Sequence, residues 1–232
     1  TLNNGTIILG GSAVSGNTVV NASNITGVKA GTLIITATNI YGCDSSVSVI
    51  VGQPTVVTVS GSSTSVTIFG AQNGTITITA GGGTPSYSYS LDSNGAAVPT
   101  ATLAGNVYSN LYAGIYNVCV TDSKGCVKCT SIIVTSPNPM ICAIDSTNNV
   151  LCYGFSTGKI YAHATGGVPF PISKYNWTLQ SPLQTSNNIN PVQFAGLVAG
   201  TYTLQATDAN GATCSITSII TQPTFKVAIT NI

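Results

Sequence analysis

Seven cysteines are the residues best placed for chemistry in this 232-residue chain: Cys43, Cys119, Cys126, Cys129, Cys142, Cys152 and Cys214. Cysteines can bond to one another, hold a metal or act as nucleophiles. Zinc would rest on Cys126-Val127-Lys128-Cys129. That segment reads as a strand, and no second ligand pair or histidine lies near it in sequence, so no metal site is expected. Pairing fits better. Cys119 and Cys129 lie on the two arms of one hairpin, close enough in register for a cross-strand bridge, and Cys214 could pair with Cys152 or Cys142. Cys43 and Cys126 each follow a turn glycine, and Cys214, two positions further along, is expected to share their face. An odd number leaves at least one cysteine free or bonded to another chain, and Cys43 and Cys126 are the expected inter-subunit links. Seven cysteines beside a single Met suit an oxidising compartment.

Other chemistry is sparse. His163 is the only histidine, on an alternating stretch where it is expected to face solvent or a partner sheet, with no paired acid or nucleophile. The carboxylates are five aspartates, Asp44, Asp92, Asp122, Asp145 and Asp208, too scattered for a dedicated calcium site. No catalytic residue, cofactor or metal is therefore expected. There is no Arg, and the net charge is +1, so nucleic acid is not an expected partner. No apolar run reaches the roughly 18 residues of a membrane span. Tyr87, Tyr89, Tyr108, Tyr112, Tyr153, Tyr161, Tyr175 and Trp177 could stack on sugars, but core packing is the expected role. Asn4, Asn21, Asn24, Asn73 and Asn176 each open an Asn-x-Ser/Thr sequon, and Ser146 lies in an Asp-Ser-Thr triplet similar to a bacterial O-glycosylation site.

The elements that must position these groups are strands. Charged residues make up only 5% of the chain and hydrophobic ones 43%, with abundant Thr, Ser, Asn, Gly and Val. That composition reads as β-structure with a neutral, hydroxyl-rich surface, and such a surface lacks the repulsion that keeps proteins apart. The order comes from an internal repeat. Gly31, Gly114 and Gly200 are each followed eight residues later by Asn39, Asp122 or Asp208. Three residues on come Gly42, Gly125 and Gly211, and twelve beyond those Pro54, Pro137 and Pro223. Tyr116, Val118 and Val120 alternate with Asn117, Cys119 and Thr121, as do Tyr202, Leu204 and Ala206 with their neighbours, which predicts strands with one buried face. Asp122-Ser123-Lys124-Gly125 and Asp208-Ala209-Asn210-Gly211 predict type I turns closed by a left-handed glycine. The prolines end the last strand, because proline cannot donate to a ladder.

Leu111-Tyr112-Ala113-Gly114-Ile115-Tyr116 resembles the tyrosine corner of immunoglobulin-like sandwiches. With Gly82-Gly83-Thr84-Pro85-Ser86-Tyr87-Ser88-Tyr89, Thr121-Asp122-Ser123-Lys124-Gly125-Cys126 and Pro137, the chain also resembles the SprB-type repeat of gliding-motility adhesins from the Bacteroidota. That resemblance implies a secreted, cell-surface protein with an adhesive or filamentous role, and no catalytic residues. The expected fold class is all-β, a tandem array of immunoglobulin-like antiparallel β-sandwich modules.

The expected division is two complete modules, 54–137 and 138–223, flanked by two partial ones. In 1–53, Asn4–Gly11 aligns with Asn73–Gly82, so the first strand of that module is missing. After Pro223, Phe225, Val227 and Ile229 alternate with Lys226, Ala228 and Thr230, a first strand with no module behind it. An unpaired sheet edge is a template for another chain, and a surplus strand can add to it. Two readings follow. Residues 224–232 of one copy complete module one of the next, giving a head-to-tail filament; or the chain is an excerpt of a longer array. A different class of function, a carbohydrate-binding array in a larger secreted protein, remains the alternative, with surface glycans as partners.

Overall fold

The computed structural model describes residues 6–10, 14, 19–20 and 25–225, with backbone alone for Thr6, Ile7, Val19 and Val20. Every regular element among them is a strand. By contact the chain falls into two compact units. The smaller holds the chain up to Thr58 together with Gly81–Ser86 and Asp122–Cys126; the larger holds Val59–Ala80, Tyr87–Thr121 and the chain from Val127 onwards.

The strands of the smaller unit are β1 (Thr6–Gly10), β2 (Val19–Val20), β3 (Ile25–Thr26), β4 (Gly31–Thr38) and β5 (Asp44–Val51). They form an antiparallel sheet in the order β1-β4-β5 and a short β2-β3 hairpin. This unit also holds the Asp122 turn, where side chain and backbone lock three segments together. Asp122 Oδ2 accepts the Thr84 N–H at 2.8 Å, and Oδ1 accepts those of Lys124 and Cys126, both at 2.9 Å. The Gly83 N–H donates to the Thr55 carbonyl at 2.7 Å.

Strands of the second repeat follow: β6 (Thr58–Thr64), β7 (Gly74–Gly81), β8 (Ser88–Ser93), β9 (Ala96–Ala97), β10 (Thr102–Ala104), β11 (Val107–Leu111), β12 (Gly114–Thr121) and β13 (Val127–Val134). They make two four-stranded sheets, β10-β11-β7-β6 and β13-β12-β8-β9. The third repeat contributes β14 (Ile141–Asn148), β15 (Gly158–Thr165), β16 (Tyr175–Gln180), β17 (Leu183–Ile189), β18 (Val192–Leu197), β19 (Gly200–Thr207) and β20 (Thr213–Ile220). Its sheets are β14-β15-β18 and β17-β16-β19-β20. The third repeat follows immunoglobulin-like strand order, with its first, second and fifth strands in one sheet and its third, sixth and seventh in the other, and the second repeat matches it once the short extra strand β10, which pairs with β11, is set aside.

The period-two reading locates the core. Tyr116, Val118 and Val120 on β12 are buried, as are Tyr202, Leu204 and Ala206 on β19. In the third repeat they pack with Trp177, Leu179, Ile160, Phe194 and Leu197 in one cluster. The corner tyrosines close each strand entrance: Tyr116 donates to the Tyr112 carbonyl at 2.9 Å and Tyr202 to the Val198 carbonyl at 2.8 Å. The segment just after the first strand seals the far end. Val66 and Val150 are buried there, and their N–H groups donate to the carbonyls of Thr135 and Thr221 at 3.0 and 2.9 Å.

Asp208 repeats the Asp122 lock. Oδ2 accepts from the Val168 N–H at 2.7 Å, and Oδ1 from those of Asn210 at 2.9 Å and Ala212 at 2.8 Å. Two glycines make room. A Cβ on Gly83 would meet the Asp122 carboxylate, and one on Gly167 the Asp208 carboxylate, while φ of +61° at both positions suits glycine alone.

Candidate functional site

The most distinctive surface is the inner face of β1-β4-β5. Strand register identifies it. Gly31, Leu33, Ile35 and Ala37 lie opposite Val51, Val49, Val47 and Ser45. In the second repeat Gly114 and Tyr116 lie opposite Val134 and Ile132, which point into the core. Val49 is thus the counterpart of Ile132, yet it is 43% exposed where Ile132 is 8% exposed. Val47 is 54% exposed. Leu33 is the one buried hydrophobic residue among the described residues of this sheet. The outer face is apolar too, with Ile8, Ile34 and Ile50 exposed. A long edge strand with exposed aliphatics and a single charge, Asp44, has the character of an unprotected pairing edge.

Register also corrects one expectation. Thr6 and Gly10 of β1 pair with Thr38 and Ile34 of β4. In the second repeat Ser88 and Asp92 of β8 pair with Thr121 and Asn117, the equivalent positions. In the third, Asn176 of β16 pairs with Thr207. Residues 6–10 therefore stand in the place of the aromatic strand, not in that of β7 as the alignment of Asn4–Gly11 suggested. A short apolar strand carries no mark of its partner, so long-range pairing decides its place. Among the described residues this sheet has no counterpart of β6 or β7 facing it.

The cysteines separate into two classes. Cys119 and Cys129 face each other across β12 and β13 and are bonded, which removes them from any metal reading. Cys142 and Cys214 are bonded across the two sheets of the third repeat. Cys214 lies opposite the buried Ala206 within β20, whereas Cys43 and Cys126 lie in the turns before their strands, so the three do not form one group. Cys43, Cys126 and Cys152 are exposed thiols.

His163 does have an acid partner. Its Nδ1 lies 2.5 Å from Asp145 Oδ1. Ile144 pairs with Ala162 and Ser146 with Tyr161, so Asp145 is the extra residue of a bulge that turns its side chain towards the histidine. Sequence spacing of 18 gave no sign of this. Both groups are well exposed, and no third reactive group joins them: among the described residues no three His, Cys, Asp or Glu side chains come together.

Of the aromatic candidates, Tyr108, Tyr175 and Trp177 are buried, while Tyr112 and Tyr153 are exposed. Burial pushes the hydroxyls of Tyr108, Tyr116 and Tyr175 up from their ordinary pKa. The Thr84 and Cys126 amides hold the Asp122 carboxyl below its ordinary value. Asn73 spends its side chain inside its own loop, with Oδ1 accepting from the Thr67 N–H at 3.1 Å and Nδ2 donating to Thr67 Oγ1 at 2.7 Å. Asn176 accepts from the Asn188 N–H at 3.0 Å, and Ser146 is exposed on β14. Phe225 is exposed. Asn4, Asn21, Asn24, Val227 and Ile229 lie outside the described residues. No helix is long and apolar enough to cross a membrane among the described residues.

Residues 60–96 match the family model of the SprB repeat. No curated protein matches the chain. Among solved structures it is similar to a three-immunoglobulin-domain segment of titin, at 14% identity over 95% of this chain and 88% of that one, with a TM-score of 0.41. It is similar to the eight N-terminal immunoglobulin domains of the Down syndrome cell adhesion molecule, at 15% identity over 94% of this chain and 32% of that one, with a TM-score of 0.44. It is similar to the insect immune protein hemolin, at 14% identity over 94% and 68% of the two chains, with a TM-score of 0.35. This chain thus spans about a third of the cell adhesion molecule's fragment. Over residues 60–96 the chain is similar to the SprB repeat, and its fold is a tandem of immunoglobulin-like β-sandwiches. Its two disulfides suit an oxidising environment.

Proposed function

We propose that this chain is a structural segment of an extracellular cell-surface filament or adhesin. Residues 54–137 and 138–223 are its two complete modules, and residues 1–53 an incomplete one. Copies associate head to tail, with residues 224–232 of one adding as a donor strand to the open module of the next. The observation that carries this is the inner face of β4-β5, where Val49 stays 43% exposed at the position of the buried Ile132 and Val47, opposite Ile35, is exposed beside it. Burying such valines contributes about 1.5–3 kcal/mol each, so a strand that covers them is favoured. The segment after Pro223 alternates Phe225, Val227 and Ile229, which supplies one apolar row for that face. The contact joins unlike surfaces and need not close, so it extends into a filament.

Negative-stain microscopy of the intact chain against a chain ending at Pro223 tests this. The intact chain should form filaments and the shortened one monomers. Filaments from both would refute the donor strand, and a reduced, denatured species from native material many times 23.4 kDa would refute non-covalent completion. Monomers that bind a glycan array and never polymerise would replace this reading with the carbohydrate-binding one.

A further inference from the structure

Residues 66–74 and 150–158 are one loop written twice, each running from a buried valine to a buried glycine. Both turn in the same way. The Ala71 N–H donates to Ile68 and the Phe155 N–H to Cys152, each at 3.1 Å, with φ of +78° at Gly70 and +79° at Gly154. The first of these loops is seated. Ile68 and Phe69 line a cleft of about 350 Å³ whose other side includes Met140, Gly211, Ala212 and Thr213. Asn210 Nδ2 donates to the Thr67 carbonyl at 2.8 Å across the same junction. All of these residues lie in the larger unit.

The second loop has no such seat among the described residues. Leu151 and Phe155 are exposed, Tyr153 is no more exposed than its counterpart Phe69 in the first loop, and the position of Ile68 is taken by the exposed thiol of Cys152. The turn that receives the first loop, 208–212, recurs as 39–43. Asn39 Oδ1 accepts the N–H groups of Tyr41 and Cys43 at 2.9 Å, as Asp208 Oδ1 does those of Asn210 and Ala212. Tyr41 stands where Asn210 does, and the exposed thiol of Cys43 where Ala212 does. Ile40 and Tyr41 are exposed.

We infer that loop 151–155 of one copy seats on turn 39–43 of a second copy, and that Cys152 and Cys43 form a disulfide across the seam. The inference rests on the head-to-tail association proposed above. It takes its geometry from the cleft that Ile68, Phe69 and Ala212 line together, and its apolar contact from Leu151, Tyr153 and Phe155 against Ile40 and Tyr41. The oxidant is a low-molecular-weight disulfide. One thiolate attacks it and expels the first small thiol, leaving a mixed disulfide. The other thiolate then attacks the protein sulfur of that mixed disulfide and expels the second small thiol. The two cysteines lose two protons and two electrons, and the oxidant gains them as two thiols. Cys126 holds the same turn position in the second repeat and is the competing partner that the experiment must separate.

The intact chain is incubated with oxidised glutathione, quenched with a maleimide, denatured and run without reductant. A ladder of multiples of 23.4 kDa is expected, collapsing on reduction, with a Cys43–Cys152 peptide found by mass spectrometry. Cys43→Ser and Cys152→Ser should each abolish the ladder, and Cys126→Ser should keep it. A ladder that survives Cys152→Ser, or links through Cys126, overturns the inference. Microscopy of the same samples separates the two levels. Filaments with no ladder overturn the disulfide and leave head-to-tail association standing; monomers with no ladder overturn both.

Discussion

Replacing Asp208 with alanine is the sharpest probe of how the third repeat holds its receiving turn. The side chain is 3% exposed and accepts three backbone N–H groups. Hydrogen bonds to a charged group contribute about 1.5–3 kcal/mol each, and a donor left unpaired out of water costs about 1–3 kcal/mol. Asn210 is exposed, so its N–H regains water at little cost, whereas Val168 and Ala212 are only partly open. The expected loss is therefore about 2–5 kcal/mol, a large share of the roughly 5–15 kcal/mol that holds a domain folded. Asp208→Asn makes the comparison informative. One amide oxygen can serve both turn N–H groups, as Asn39 does, but the amide nitrogen then confronts the Val168 N–H. Its loss should be about 1–3 kcal/mol, from that single bond. Trp177, the chain's only tryptophan, is fully buried in the same core and reports locally. Guanidinium unfolding followed by its fluorescence should show midpoints ordered wild type, asparagine, alanine, with the slope unchanged. An alanine variant within about 0.5 kcal/mol of wild type would refute the lock, since surface substitutions change stability by no more than that. Equal losses for both variants would refute the division of labour between the two oxygens.

Two more outcomes follow from the same structure. Cys142–Cys214 closes a separation of 72 residues and Cys119–Cys129 one of 10, so loop entropy assigns them about 4 and 3 kcal/mol respectively. A Cys142→Ala/Cys214→Ala variant should lower the Trp177 transition while Cys119→Ala/Cys129→Ala leaves it in place; the reverse would contradict the cross-sheet role. The Asp122 carboxyl is held below its ordinary pKa by the amides of Thr84 and Cys126, so its contribution to stability is complete above the unfolded carboxylate value and is lost as pH falls through the lower, folded one. In an NMR titration the amide shifts of Thr84, Lys124 and Cys126 should move with a midpoint below about 3.9, the ordinary aspartate value. A midpoint at or above it would mean the amides do not favour the charged form.

Much of this molecule was legible in its sequence because repetition and local chemistry leave marks on neighbouring residues. The fixed spacing from Gly114 to Pro137 and from Gly200 to Pro223, the alternation through Tyr116 and Tyr202, and the Asp-x-x-Gly turns specify strands, faces and turns within a few residues of each other. So the sandwich class and the hairpin cysteines could be read directly. What tertiary structure alone decided are pairings between distant segments. Nothing local says that Cys142, not Cys152, meets Cys214, because the choice depends on which sheet stacks on β20. Nothing local marks Asp145 as the bulge residue that reaches His163. The sequence Thr-Ile-Ile-Leu suits any strand of a sandwich, and only its register against β4 gives it the place of the aromatic strand and leaves the face carrying Val47 and Val49 open. Short-range propensity chooses the element; the partner is chosen by burial summed over contacts far apart in the chain.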